Sequence, residues 1–159
     1  LNGNDIWSYI PQYFIPDDNE TDKIEFLKKC YITDLCHIVP KGCGGIDPIC
    51  KTLGIQKKDW ENFRSAIAKK YLEKEIEEVN PNFIILHGAA SRGFFENELE
   101  VPFEDIENFG RLKICKGNMD GKKILSIPHL KGQLKNEFWN SSHQDKIRQT
   151  IQNYLKENS

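Results

Sequence analysis

The sequence predicts an α/β fold: a three-layer α/β/α sandwich around a small, mostly parallel sheet of about four strands. Three observations carry this reading. Phe83-Ile84-Ile85-Leu86 and Ile124-Leu125-Ser126-Ile127 are apolar runs without alternation, as expected of strands covered on both faces. A long amphipathic pattern over 59–78 precedes the first run, and another over 142–155 follows the second. Strands separated by helices favour crossover connections and parallel pairing. Residues 31–36, 82–87 and 123–127 are therefore expected as neighbouring strands, with 59–78 and 142–155 as covering helices.

The elements follow in order. Residues 1–20 mix Trp7, Tyr9, Ile10, Tyr13 and Phe14 with Pro11, Pro16, Asp17 and Asp18, so they predict packing without regular structure. Residues 21–29 read as a short helix with Thr21 as N-cap. Tyr31-Ile32-Thr33-Asp34-Leu35-Cys36 is β-branched and aromatic, which predicts a strand. Pro40, Gly42, Gly44, Gly45 and Pro48 predict a loop over 37–50. The 59–78 helix has Asp59 as a cap. Its expected inward stripe is Trp60, Phe63, Ile67, Tyr71 and Ile76, with Ala66 and Leu72 beside it. Asn80-Pro81 ends it. His87-Gly88-Ala89-Ala90-Ser91 turns into a short helix through Phe94 and Phe95, and 111–115 is a weaker strand. Asn118-Met119-Asp120-Gly121 turns the chain into the strand 123–127. Pro128 stops that strand because it has no N–H to donate. The terminal helix points Ile147, Ile151, Tyr154 and Leu155 inward.

Composition excludes several classes. The 159 residues are enough for a single domain with a core, 38% of them apolar and 29% charged. No apolar run is long enough to span a bilayer, and no signal-peptide pattern is present, so no membrane partner is expected. The chain begins at Leu1 and its only methionine is Met119, so the natural N-terminus is expected to be missing. A net charge of −2 gives no global attraction to nucleic acid, and any such binding must use a local patch. Five irregularly spaced cysteines predict reduced thiols and an intracellular location. Cys30, Cys36, His37, Cys43 and Cys50 lack the short knuckle spacing of zinc sites, so neither a metal nor another cofactor is expected. No Gly-x-Ser-x-Gly elbow, P-loop or His-Glu-x-x-His motif occurs.

The chemistry-bearing stretch is Ile127-Pro128-His129-Leu130-Lys131-Gly132-Gln133. A histidine just past the C-terminal end of a sheet strand sits where open α/β folds place ligands. A solvated loop histidine is the plain alternative. Leu130 and Leu134 either pack inward or present an apolar wedge in a basic loop. Lys131 and Lys135, with Lys122 and Lys123 nearby in sequence, either grip phosphates or form a solvated face. Gly88-Ala89-Ala90-Ser91 reads better as a small-residue turn for close packing than as a phosphate cradle.

Three segments together resemble the uracil-DNA glycosylase superfamily. The first is Tyr31-Ile32-Thr33-Asp34, where relatives have a strand ending in Thr-Asn. The second, Asn80-Pro81-Asn82-Phe83-Ile84-Ile85-Leu86-His87-Gly88-Ala89-Ala90, is similar to the family's strand-to-helix turn. The third runs from Ile127 to Gln133, then Phe138-Trp139 and a terminal helix. It resembles the family's histidine motif and DNA-inserting loop. The resemblance implies that His129 stabilises negative charge on a departing base, as an oxyanion donor does. It places Asp34 at the base-reading asparagine, and Leu130, Lys131, Gly132 and Gln133 in the loop that enters DNA. An ionised aspartate offers only acceptors, so Asp34 must be protonated, read a base with an exocyclic amino group, or not read a base at all. The alternative role for Asp34 is a cap of the following loop.

Two departures stand out. The family's first motif, a Gly/Pro-rich turn that positions the hydrolytic water, has no copy near the N-terminus here. Pro128 precedes His129, where many relatives have proline after the histidine. The implied function is a glycosylase that hydrolyses the N-glycosidic bond of a deaminated or damaged, uracil-type base in base excision repair. Its partner is DNA, single- or double-stranded. Two other readings stay open: a catalytically inactive nucleic-acid- or nucleotide-binding member of the fold, and an interaction domain with a protein partner at 41–50.

Overall fold

The computed structural model describes residues 14, 20–33, 46–109, 112–128 and 141–158. Nine elements lie in these segments: α1 (Glu20–Lys28), α2 (Ile46–Leu53), α3 (Lys57–Val79), β1 (Phe83–His87), α4 (Ala89–Glu98), β2 (Phe103–Phe109), β3 (Leu112–Met119), β4 (Lys122–Ile127) and α5 (Ser141–Asn158). The strands form one sheet in the order β1-β4-β3-β2. No described helix is long and apolar enough to cross a membrane.

The sheet has helices on both faces, as a three-layer sandwich requires. On one face Ile114, Leu125 and Ile127 pack with Ile147 and Ile151 of α5, and Phe26 of α1 joins them. On the other, Ile124 and Leu86 pack with Leu72 of α3 and Phe95 of α4. β4 sits between β1 and β3, so every residue from Ile124 to Ile127 is buried. Ile124, Leu125 and Ile127 are at most 1% exposed.

The sheet is mixed rather than mostly parallel. β1 pairs β4 in parallel, with Phe83 opposite Lys123 and His87 opposite Ile127. β3 pairs both β4 and β2 antiparallel. The cause is connection length. Asp120 and Gly121, at φ 51° and 81°, make a two-residue hairpin turn between Met119 and Lys122. The link from Phe109 to Leu112 is equally short. Neither leaves room for a crossover. Strand β2 also goes beyond the sequence reading, which had no strand over 103–109.

Four further expectations need correction. Residues 31–33 are not a strand of this sheet: Tyr31 and Ile32 are exposed, and the Thr33 hydroxyl donates to Glu75 of α3 at 2.9 Å. β-branching favours an extended chain but supplies no ladder partner. Residues 34–36 lie outside the described residues. The predicted loop over 37–50 gives way to α2 from Ile46; Pro48 falls in its first turn, where the missing N–H has no intrahelical partner to lose. α1 begins at Glu20, so Thr21 is inside the helix rather than at its cap. α3 begins at Lys57 after Gln56, and Asp59 lies in its first turn rather than at its cap.

The inward stripe of α3 also differs. Trp60, Ala68 and Leu72 are buried and Ile76 packs on the sheet core, whereas Phe63 and Tyr71 are 52% and 53% exposed. Ala68, Leu72 and Ile76 are spaced by four, one row of a helix face. At 23 residues α3 is about 34 Å long, roughly twice a five-residue strand, so the sheet covers only part of it. Asn80 ends α3 in the left-handed conformation, its N–H donating to the Ile76 carbonyl at 2.9 Å.

Candidate functional site

Parallel pairing puts the C-terminal ends of β1 and β4 side by side. His87 lies opposite Ile127, and one residue further the Gly88 N–H donates to the Ile127 carbonyl at 2.8 Å. Gly88 holds φ 94° and ψ 158°, a conformation open essentially to glycine alone. The turn then starts α4 at Ala89. Its first turn closes with Arg92 N–H to the Gly88 carbonyl at 3.3 Å, and Ser91 Oγ ties it back to β1 by donating to the His87 carbonyl at 3.2 Å. This matches the small-residue turn expected at Gly88. β4 ends at Ile127 and Pro128 is buried beyond it, as a residue without an N–H should terminate a ladder.

A polar chain lies under the first turns of α4. Arg92 Nη1 donates to Cys115 Sγ at 3.1 Å, and the Cys115 thiol donates to Asp105 Oδ1 at 3.3 Å. Arg92 Nε lies 3.7 Å from Glu96 Oε1, and Lys113 donates to Asp105. Cys115 is cross-strand neighbour to both Asp105 and Ser126. Burial, then the Asp105 carboxylate, pushes the Cys115 thiol above its ordinary value, so it stays protonated and unreactive. The hydrogen bond from Lys113, then that from Cys115, holds the Asp105 carboxyl below the ordinary range. This chain fastens α4 to β3 and β2. Its members come from three elements, and no local motif marks them.

The sequence-predicted site residues Asp34, His129, Leu130, Lys131, Gly132 and Gln133 all lie outside the described residues, as do Leu134 and Lys135. What the described residues bring together is one edge of the sheet: the ends of β1 and β4, the Gly88 turn and the start of α4. His129 follows Pro128 directly in the chain. Of the cysteines weighed as metal ligands, Cys30 donates its thiol to the Phe26 carbonyl at 3.2 Å and Cys50 is buried; Cys36, His37 and Cys43 lie outside the described residues.

The family model for the uracil DNA glycosylase superfamily matches residues 3–155. The chain belongs to this superfamily. The match spans nearly all of the 159 residues and begins ahead of Tyr31, where the motif resemblance starts. Membership gives the chain a DNA-glycosylase-like fold, the general context of base excision and DNA as the general class of partner. No curated protein and no solved structure gives a significant match. Of the motifs quoted above, the described residues include Tyr31 to Thr33, the strand-to-helix turn at Gly88 and the end of β4.

Proposed function

We propose that the chain is a DNA glycosylase that hydrolyses the N-glycosidic bond of a uracil-type base flipped out of DNA. The family match over residues 3–155 carries this reading. The side-by-side ends of β1 and β4 support it, because ligands of open α/β sheets bind beyond the carboxyl ends of strands.

In the proposed reaction the bond from the sugar C1′ to the base nitrogen breaks, and the electron pair leaves with the base. Water adds at C1′ and gives up a proton, which ends on the departing base. His129 donates a hydrogen bond to the base carbonyl oxygen where negative charge accumulates. Asp34 reads the base edge, and Leu130 to Gln133 enter the stack in place of the flipped nucleotide.

The test is single-turnover base release from oligonucleotides carrying uracil, hypoxanthine or xanthine, single- and double-stranded. His129→Ala should slow release by on the order of 10²–10³ with little change in DNA affinity, because charge on the base develops only in the transition state. DNA binding without release from any substrate assigns the chain to the inactive binders. Loss of both leaves the interaction-domain reading.

A further inference from the structure

We propose that the N-terminal half of α3, with α2 packed beside it, is an arm that binds a single DNA strand outside the base-release site. It rests on the superfamily reading only for the choice of DNA as the polymer.

The first observation is charge segregation along one helix. Residues 57–70 carry Lys57, Lys58, Arg64, Lys69 and Lys70 against Asp59 and Glu61. Residues 71–79 reverse this, with Glu73, Glu75, Glu77 and Glu78 against Lys74. A helix that is merely solvated interleaves its signs, as Lys74 and Glu78 do at 3.6 Å. In a chain of net charge −2, the basic half is a local cationic patch of the kind nucleic-acid binding would require.

The second observation is that four of these five cations are unengaged among the described residues; the fifth, Lys69, donates to the Glu98 carbonyl at 2.7 Å. Lys57, Lys58, Arg64 and Lys70 are exposed, and among the described residues none makes an ion pair or hydrogen bond. Elsewhere Lys113, Lys116 and Lys146 each hold a carboxylate on β2. Lys57, Lys58, Arg64 and Lys70 can take phosphates without breaking a pair to any other described residue.

The third is aromatic. Phe63 stands half exposed among these cations, and Tyr71 half exposed where the basic half meets the acidic one. Phe63 lies nine residues, about two and a half turns, from Leu72, so it faces away from the sheet. Buried Trp60 touches its ring, with centroids 6.0 Å apart, and limits its freedom. Exposed rings beside exposed cations, one of them held by Trp60, suit unstacked bases on a tracked backbone, which is single-strand chemistry.

The acidic half gives the arm its direction. Glu73 and Glu77 line a cleft of about 460 Å³ with Glu100 and Asp120, against the single lysine Lys122, at the edge where β4 begins. That edge repels a polyanion. The basic half runs away from it.

The experiment is fluorescence anisotropy with an oligo-thymidine strand of about 30 nucleotides, long enough for the arm. Salt is varied from about 50 to 200 mM. Replacing Lys57, Lys58, Arg64 and Lys70 with glutamate should lower the slope of log affinity against log salt by about 2–3, at roughly 0.7 per lost phosphate contact. The same four changed to glutamine should act in the same sense, which guards against a helix disturbed by charge reversal. Phe63→Ala with Tyr71→Ala should weaken binding on the order of tenfold or more and leave the salt slope in place. A matched duplex should feel the cation changes and not the aromatic ones. The readout is binding, so it holds whether or not the chain releases a base. Unchanged affinity and slope in both charge variants overturn the arm. So would wild-type protein that binds no oligo-thymidine, and either result would point this face toward a protein partner.

Discussion

The main-chain N–H of Gly88 donates to the carbonyl of Ile127 at 2.8 Å, so the turn after β1 is stitched to the last residue of β4. The two motifs that frame the candidate site are thereby held at fixed spacing by backbone alone. Gly88→Ala should cost about 1–3 kcal/mol, because φ 94° with ψ 158° strains any residue bearing a Cβ. Urea unfolding measures this. A variant as stable as the parent would mean that the turn relaxes freely and is no fixed frame.

Gly117 offers a second backbone test, at the hairpin between β2 and β3. A Cβ there would lie 3.0 Å from the Phe103 ring and 3.1 Å from the Pro102 carbonyl. Phe103 is the cross-strand partner of Gly117, so the ring fills the space a side chain would use. Gly117→Ala should destabilise by roughly 1–3 kcal/mol through overpacking against backbone that cannot move aside. Gly121→Ala is a different case: a Cβ there meets nothing within 4 Å, and the cost comes from φ 81° alone. Thermal unfolding of the pair separates contact from conformation.

Legibility of the fold followed how local each signal is. β1 and β4 could be read because both faces are covered and their central residues, Phe83 to Leu86 and Ile124, Leu125 and Ile127, are apolar. β2, Phe-Glu-Asp-Ile-Glu-Asn-Phe, could not: a register shift between Asp105 and Glu107 breaks the alternation, and its carboxylates are held by Lys113, Lys116 and Lys146 from other elements. α3 was legible as a helix but not in its orientation, since Leu72 and Ile76 rather than Phe63 and Tyr71 face the sheet core. Of the candidate site, the turn at Gly88 and the stop at Pro128 could be read from residue type. The Arg92–Cys115–Asp105 chain could not, because it exists only once three elements meet.

Cys115 should be silent to thiol reagents in the folded protein. Burial and Asp105 raise its thiol, and only the thiolate is the nucleophile. Iodoacetamide labelling read by peptide mass should modify half-buried Cys30 before Cys115, and should reach Cys115 only in denaturant. Early labelling of Cys115 would show that α4 lifts from the sheet. Arg92→Ala removes both a tie between α4 and β3 and the one neighbour that lowers the Cys115 thiol, so faster labelling in that variant would show that access, not ionisation, sets the rate.

Asp34→Asn tests the base-reading proposal. An amide presents uracil with one donor and one acceptor, whereas an ionised carboxylate meets N3–H and repels O4. The substitution should raise uracil release relative to the parent, with xanthine and hypoxanthine release as internal controls. Single-turnover rates on the three substrates decide it. An equal change on all three would remove Asp34 from base recognition.

Acid should destabilise the β2 side of the sheet. Lys113, then Cys115, lowers the Asp105 carboxyl by hydrogen bonding, and Lys146, then the Asn108 N–H, lowers Glu107. A carboxylate whose folded value is depressed contributes stability that is fully present above its unfolded value, about 3.9 for Asp and 4.3 for Glu. That contribution is lost as pH falls through the folded value, since the unfolded chain then takes up protons first. Stability should therefore be level in this respect near neutrality and decline from about pH 5 downward. Asp105→Asn and Glu107→Gln remove the titrating groups, so each should flatten the acid limb relative to the parent while lowering stability at neutral pH. Both pairs are solvent-exposed and screened, which makes the effect small and salt-sensitive. Thermal unfolding from pH 7 to pH 3 at low and high salt measures it. An acid limb of the same steepness in the double variant would place the acid-sensitive carboxylates elsewhere in the fold.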